Sequence, residues 1–265
     1  MKAGLKTWAA AAAAGILVLV GLWLAAPPDG VLILTYHDVR AAADNSGPET
    51  DEDKSYVMPP DDFEAQIRYL IAAGYSPIAL SEAVDGLTGK KPLPPRPVVI
   101  TFDDGYAGNY TEALPILERY GIRATVFLIA GQVGEPGYLS WGEVEDMFRR
   151  GIEIGSHTMH HLPLPGLSPG ELQEEISASK ALIEKNTTVP VVTLFAYPFG
   201  AYSPAAFSAL REAGYQAACT GRAGINRPGG NVYALRRVVI PRPRFGLWEF
   251  RLRLLRAGVV SHLGW

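Results

Sequence analysis

Val98-Val99-Ile100-Thr101-Phe102-Asp103-Asp104-Gly105 is an unbroken apolar run that ends in two adjacent carboxylates and a glycine. The apolar part reads as a buried strand. Neighbouring side chains on a strand point to opposite faces, but at a strand end the chain can bend and bring both carboxylates into one pocket. Gly105 supplies the freedom for a sharp exit. Two carboxylates held together away from water are costly unless a cation or a shared proton compensates them.

Ligands for such a cation are close at hand. Three of the chain's five histidines lie in Ser156-His157-Thr158-Met159-His160-His161, just after the strand-like Gly151-Ile152-Glu153-Ile154-Gly155. His157 and His161, four apart, present two imidazoles to one side of a turn, and His157 with His160 would serve almost as well. One carboxylate and two imidazoles leave a coordination position open, the arrangement of a catalytic zinc site.

Outward from these motifs the chain alternates. Strands are expected at Val31–Tyr36, Ala124–Ala130 and Val191–Ala196. Helices are expected with Phe63, Ile67, Leu70 and Ile71 on one face, over roughly 109–120, after the capping boxes Ser140/Glu143 and Ser168/Glu171, and from Ser203-Pro204 to Gly214. Repeated alternation implies a parallel sheet with helices outside it, and periodicity alone leaves open whether that sheet closes. With 265 residues, 48% of them hydrophobic, there is chain enough for one sizeable core. The net charge of −3 gives no electrostatic case for nucleic acid. The single cysteine, Cys219, excludes an intramolecular disulfide and a cysteine metal cluster, and its apolar neighbours predict a buried thiol.

Thr101-Phe102-Asp103-Asp104-Gly105 and His157-Thr158-Met159-His160-His161 together resemble the polysaccharide deacetylase family, the NodB-homology domain of carbohydrate esterase family 4. Phe195-Ala196-Tyr197-Pro198-Phe199-Gly200 is similar to that family's later Pro-aromatic motif. The resemblance implies an α/β fold, an irregular (β/α) barrel with its chemistry at the C-terminal ends of the strands. It implies metal-dependent hydrolysis of N-acetyl groups on sugars, with a divalent metal, zinc first, held by Asp104, His157 and His161. Asp103 would be the general base, the Phe199 N–H an oxyanion donor, and Tyr197 a substrate-side neighbour. His160 is left outside the ligand set.

Two departures from the family pattern matter. A general acid is expected near the C-terminus, where only His262 stands; His37, at the end of the first strand, is the better candidate. Its Tyr36-His37 pair resembles the PgaB/IcaB branch, which acts on poly-β-1,6-N-acetylglucosamine. The arginine expected to pair with the base is replaced by Ala196, and Arg237 is a possible substitute or a surface residue. Peptidoglycan deacetylation, removal of O-acetyl groups, and metal-dependent carbohydrate binding without turnover are the alternative functions.

Residues 1–28 form a separate segment. Lys2 and Lys6 precede an uncharged run from Thr7 to Pro28, long enough to span a bilayer as one helix. Lysines inside and the rest of the chain outside would follow, and Pro27-Pro28 disfavours a cleaved signal peptide. Residues 29–265 would then be an extracytoplasmic catalytic domain with a basic tail, 241–265. Residues 236–265 carry seven arginines against one acid, Glu249, with apolar positions too broadly spread for a clean amphipathic stripe. A helix packed on the domain or a contact with anionic headgroups are the two readings of that tail.

Overall fold

A computed structural model describes residues 30–41 and 55–262. The expected membrane segment, 1–28, and most of the acidic stretch at 41–57 lie outside the described residues. Among the described residues no helix is long and apolar enough to cross a membrane.

Strands β1 (Leu32–Tyr36), β4 (Ser76–Pro77), β5 (Pro97–Phe102), β6 (Thr125–Leu128), β7 (Glu153–Ser156), β8 (Leu194–Ala196), β9 (Ala217–Cys219) and β10 (Val238–Val239) form one parallel sheet. Its order is β10-β1-β5-β6-β7-β8-β9, with β4 beside β5, while β2 (Asp38–Val39) and β3 (Val57–Met58) pair separately. Every residue of β1 and of β5 is buried, as strands covered on both faces require.

The segment Leu235–Val239 curls the sheet towards closure. Leu235 bridges to Cys219 of β9, and three and four residues later Val238 and Val239 pair with Leu34 and Thr35 of β1. One short segment thus joins both ends of the sheet into the irregular barrel that the resemblance implied.

Alternation along the strands separates two cores. Ile33, Val99, Phe127, Leu194, Ala196, Cys219 and Leu235 fill the interior, plugged at one end by Leu80, Ala83, Val84 and Leu87 of the helix Leu80–Leu87. Leu34, Ile100, Phe102, Val126, Phe195 and Ala218 face outward onto the surrounding helices. Gly155 is small for a reason: a Cβ there would lie 2.5 Å from the Phe127 ring. Cys219 is buried as expected, and burial pushes its thiol up to about 12.

Both capping boxes form. Ser140 Oγ accepts from Glu143 N at 3.3 Å while the Glu143 carboxylate accepts from Ser140 N at 2.8 Å, and Ser168 with Glu171 repeats this. Elsewhere the elements differ from expectation. In the helix Pro60–Ala72, Ile71 is exposed, and Gln66 is buried beside Phe63, Ile67 and Leu70. The buried positions follow i, i+3, i+4, i+7, and Ile71 turns beyond that stripe. Gln66 is tolerated there because it accepts a 2.7 Å hydrogen bond from the Tyr36 hydroxyl. The helix expected from 109 opens with a π turn, Asn109–Ala113, and becomes α-helical only at Leu114–Arg119.

Candidate active site

The inward alternation that fills the barrel also carries Thr35, Thr101, Asp103, His157 and Arg237 to its open end. Each lies an even number of residues beyond an interior apolar side chain, except His157, which continues from Gly155. Asp104 has the opposite parity. It reaches the same pocket because its φ is +74° and that of Gly105 is +82°, so the chain turns sharply at the end of β5. Left-handed backbone is uncommon for a residue with a side chain, and aspartate is among those that tolerate it best.

Asp104, His157 and His161 offer ligand atoms within 4.8 Å of one another. Asp104 Oδ1 is 3.5 Å from His157 Nε2 and 3.6 Å from His161 Nε2. Ligands about 2.0–2.1 Å from a tetrahedral zinc stand about 3.4 Å apart, so the two distances from Asp104 suit an ion of that size. His157 Nδ1 lies 2.8 Å from the Ala196 carbonyl. It must donate there, which leaves Nε2 with its lone pair facing Asp104. Burial pushes His157 down to about 3, against the pull of Asp103, so the ring is neutral as a ligand must be.

The ligand loop is fastened from behind. Thr158 (φ +71°) accepts from His161 N at 2.9 Å through its hydroxyl, and His161 itself has φ +61°. Glu175, buried on the neighbouring helix, accepts from Met159 N at 3.1 Å and His160 N at 3.0 Å, and its other oxygen lies 2.7 Å from His160 Nδ1. His160 is therefore turned to Glu175 and stays outside the ligand set.

Arg237 is no surface residue. It is 3% exposed and grips Asp103 with two parallel 2.7 Å hydrogen bonds, while its Nε donates to Thr220 O at 3.2 Å. The guanidinium is spent on Asp103 and the backbone, so Arg237 is the substitute for the missing arginine and does not reach the oxyanion or substrate side. Ala196, where an arginine was expected, faces the interior as the residue whose carbonyl orients His157. Burial pushes the Asp103 carboxyl up, but the Arg237 charge, with His157 and His37, brings it down to about 2. Asp103 Oδ2 lies 4.0 Å from His157 Nε2, beside the ligand set.

Arg237→Met is expected to cost about 3 kcal/mol of stability, because it strands a buried carboxylate. Denaturant unfolding measures this. Without the arginine the effect of burial on Asp103 dominates, so the acid limb of the pH–rate profile moves to higher pH. An unmoved limb would show that Arg237 does not set the charge of Asp103.

The depressed His157 carries a second expectation. Between its ordinary value of 6.5 and about 3, the unfolded chain takes up a proton that the folded chain refuses. Stability of the metal-free protein therefore falls as pH drops through that window, by up to about 1.4 kcal/mol per unit. Asp103 adds to the loss only below 3.8, as pH falls towards 2. Thermal unfolding of the metal-free protein and of His157→Gln checks this: the variant's acid slope must be shallower.

His37 follows β1 on the interior parity and lines a cleft of about 460 Å³ with Asp103, Asp104, His157 and His161. Its ring packs on Tyr56, centroids 4.5 Å apart. Tyr197 is fully buried and donates its hydroxyl to Tyr233 O at 3.0 Å, so that hydroxyl is no substrate donor. Phe199 (φ +56°) is 70% exposed and packs 4.6 Å from the His161 ring. Its turn is closed by Gly200 N to Tyr197 O and Ala201 N to Pro198 O, neither of which uses the Phe199 N–H. Tyr106 and Tyr138, stacked at 5.2 Å on the cleft wall, were not expected. The position of Tyr106 directly after Gly105 was the available signal for it; Glu175, one acid among several on its helix, offered none.

Residues 90–218 match the sequence model for polysaccharide deacetylases. Polysaccharide deacetylase YxkH of Bacillus subtilis (strain 168) is 36% identical over 211 residues, covering 80% of this chain and 71% of the relative. A poly-β-1,6-N-acetyl-D-glucosamine N-deacetylase of Staphylococcus aureus (strain MRSA252) is 29% identical over 231 residues, covering 80% of this chain and 79% of the relative. Among solved structures, IcaB from Ammonifex degensii superposes with a TM-score of 0.73 at 28% identity, over 87% of this chain and 97% of that one.

Proposed function

The chain belongs to the polysaccharide deacetylase family, and on that premise we propose that it is a zinc-dependent N-deacetylase of poly-β-1,6-N-acetylglucosamine, tethered at the outer face of a membrane. The observation that carries the chemistry is the convergence of Asp104, His157 and His161 beside the arginine-held Asp103 in one cleft. The polymer is supported by the likeness to the staphylococcal enzyme and to IcaB over most of the chain. The tether is supported by the uncharged run from Thr7 to Pro28 after two lysines.

Asp104, His157 and His161 would hold a divalent cation, which would supply Lewis acidity to the attacking water and the acetyl carbonyl. Asp103, kept ionised by Arg237, accepts the water's proton as the C–O bond forms. Its low proton affinity suits it to give that proton up again. Phe199 N–H donates to the oxyanion of the tetrahedral intermediate. His37 donates a proton to the departing amine nitrogen as the C–N bond breaks, yielding acetate and glucosamine. Tyr56, Tyr106, Tyr138 and Phe199 line the cleft with flat apolar faces suited to the C–H faces of pyranose rings.

Acetate release by the full chain from poly-β-1,6-N-acetylglucosamine, peptidoglycan and chitin oligomers tests this reading. Release from the first polymer well above the others is expected; release from peptidoglycan alone would overturn the choice of polymer and leave the chemistry standing. His37→Gln is expected to lower kcat on the amide about 100-fold. The same variant should keep its rate on an aryl acetate, whose leaving group needs no proton. Equal losses on both would remove His37 from the acid role.

A further inference from the structure

The C-terminal helix, Leu247–His262, has two apolar faces, which is why its sequence shows no single stripe. Phe250, Leu254, Ala257 and Ser261 are buried at i, i+4, i+7 and i+11 against the domain, with the Phe250 ring 6.0 Å from Tyr69. Trp248, Leu252 and Leu255 repeat the i, i+4, i+7 spacing two residues earlier, about 200° around the helix, and all three are exposed. Trp248 is 61% exposed, and Phe245, just before the helix, is 74% exposed. Arg251 and Arg256, both exposed, lie on either edge of this outer stripe, and the exposed Arg242 and Arg244 precede it. Glu249 does not oppose them, because its carboxylate is taken by Arg244 N at 3.0 Å and Arg253 at 2.9 Å.

The helix also ends where the chain enters the barrel. Ser261 Oγ accepts from Ile225 N at 2.8 Å, and the next residue, Asn226, bridges to Val31. In the sequence only Asp29 and Gly30 separate Val31 from the uncharged run that ends at Pro28.

We propose that the outer face of this helix, Phe245, Trp248, Leu252 and Leu255 flanked by Arg251 and Arg256, docks the domain onto an anionic phospholipid surface. The apolar side chains enter the boundary between headgroups and acyl chains, and the arginines meet lipid phosphates. This geometry is that of an interfacial amphipathic helix, with the domain's own core taking the place of water on the other side. The proposal rests on the proposed tether at residues 7–28, which would bring the start of the barrel, and with it the end of this helix, near the bilayer.

The full chain reconstituted into vesicles tests it. Leu252→Cys carries an environment-sensitive fluorophore, Lys185→Cys on a distant helix serves as the control site, and the buried Cys219 takes no label. In phosphatidylglycerol–phosphatidylcholine vesicles the Leu252 label is expected to shift to the blue and resist aqueous iodide, while the control stays wet. Each of Arg251→Glu and Arg256→Glu should lower the docked-to-free ratio at least about fivefold, and high salt should do the same. A Leu252 label that stays wet, or is equally shielded in pure phosphatidylcholine, overturns the proposal. So does shielding that rises with protein density, which would mark a second copy as the occupant. Flotation of the chain with the vesicles reports on the tether separately, so failure of the tether and failure of the face are distinguishable.

Discussion

Asp103→Asn is expected to lower kcat for acetate release about 1,000-fold or more while leaving KM within a few-fold, the pattern of an interaction made only in the transition state. The substitution keeps the shape of the side chain and removes its charge. The proton of the attacking water then has no acceptor in the place where Asp103 stands, between Arg237 and the Nε2 of His157. The same change leaves the buried Arg237 uncompensated, which is expected to cost about 3 kcal/mol of stability. Activity could therefore fall for a structural reason, and the double variant Asp103→Asn/Arg237→Met separates the two. It removes the stranded charge and should recover stability in denaturant unfolding, with no recovery of kcat. If kcat returned with stability, Asp103 would be a structural anchor and the base would have to be found elsewhere.

The parallel sheet and half of the site were legible because both are written in local patterns, whereas closure of the sheet into a barrel was implied only by the resemblance. Buried strands show as apolar runs, capping boxes show at fixed spacing, and Asp103-Asp104 and His157/His161 sit beside their strands in the sequence. Arg237 was ambiguous because its partner lies 134 residues away and only barrel closure brings them together. The clue lay in alternation: Leu235 is interior, so Arg237 is too, but β10 is only two residues long and no strand signal announces it. Ile71 misled for the opposite reason. An apolar residue next to a helix stripe resembles a member of it, and the buried Gln66 that takes the inner place is justified only by the Tyr36 hydroxyl across the core. The C-terminal helix was illegible as an amphipath because its two apolar faces cancel, and only burial tells the packed face from the open one.

Chelation is expected to abolish acetate release, more than about 1,000-fold, and one equivalent of zinc to restore it. The site favours full recovery because its parts are already arranged. His157 is fixed by Ala196 O and neutral down to about pH 3, so near neutral pH no proton competes for its Nε2. The loop bearing His161 is fastened through Thr158 and Glu175, so little ordering remains to oppose binding. Asp104→Asn gives the cleanest test of the ligand set. Asparagine tolerates the left-handed backbone that Asp104 adopts at φ +74°, so the turn survives while the anionic ligand is lost. The variant should bind zinc at least about tenfold more weakly by competition with a chromophoric chelator. Its activity should recover in part as zinc is raised, and its metal-free unfolding midpoint should stay near that of the unaltered chain. A chelated protein that kept its activity would rule out metal dependence; an Asp104→Asn protein with unaltered zinc affinity would remove the carboxylate from the ligand set while leaving the histidines in place.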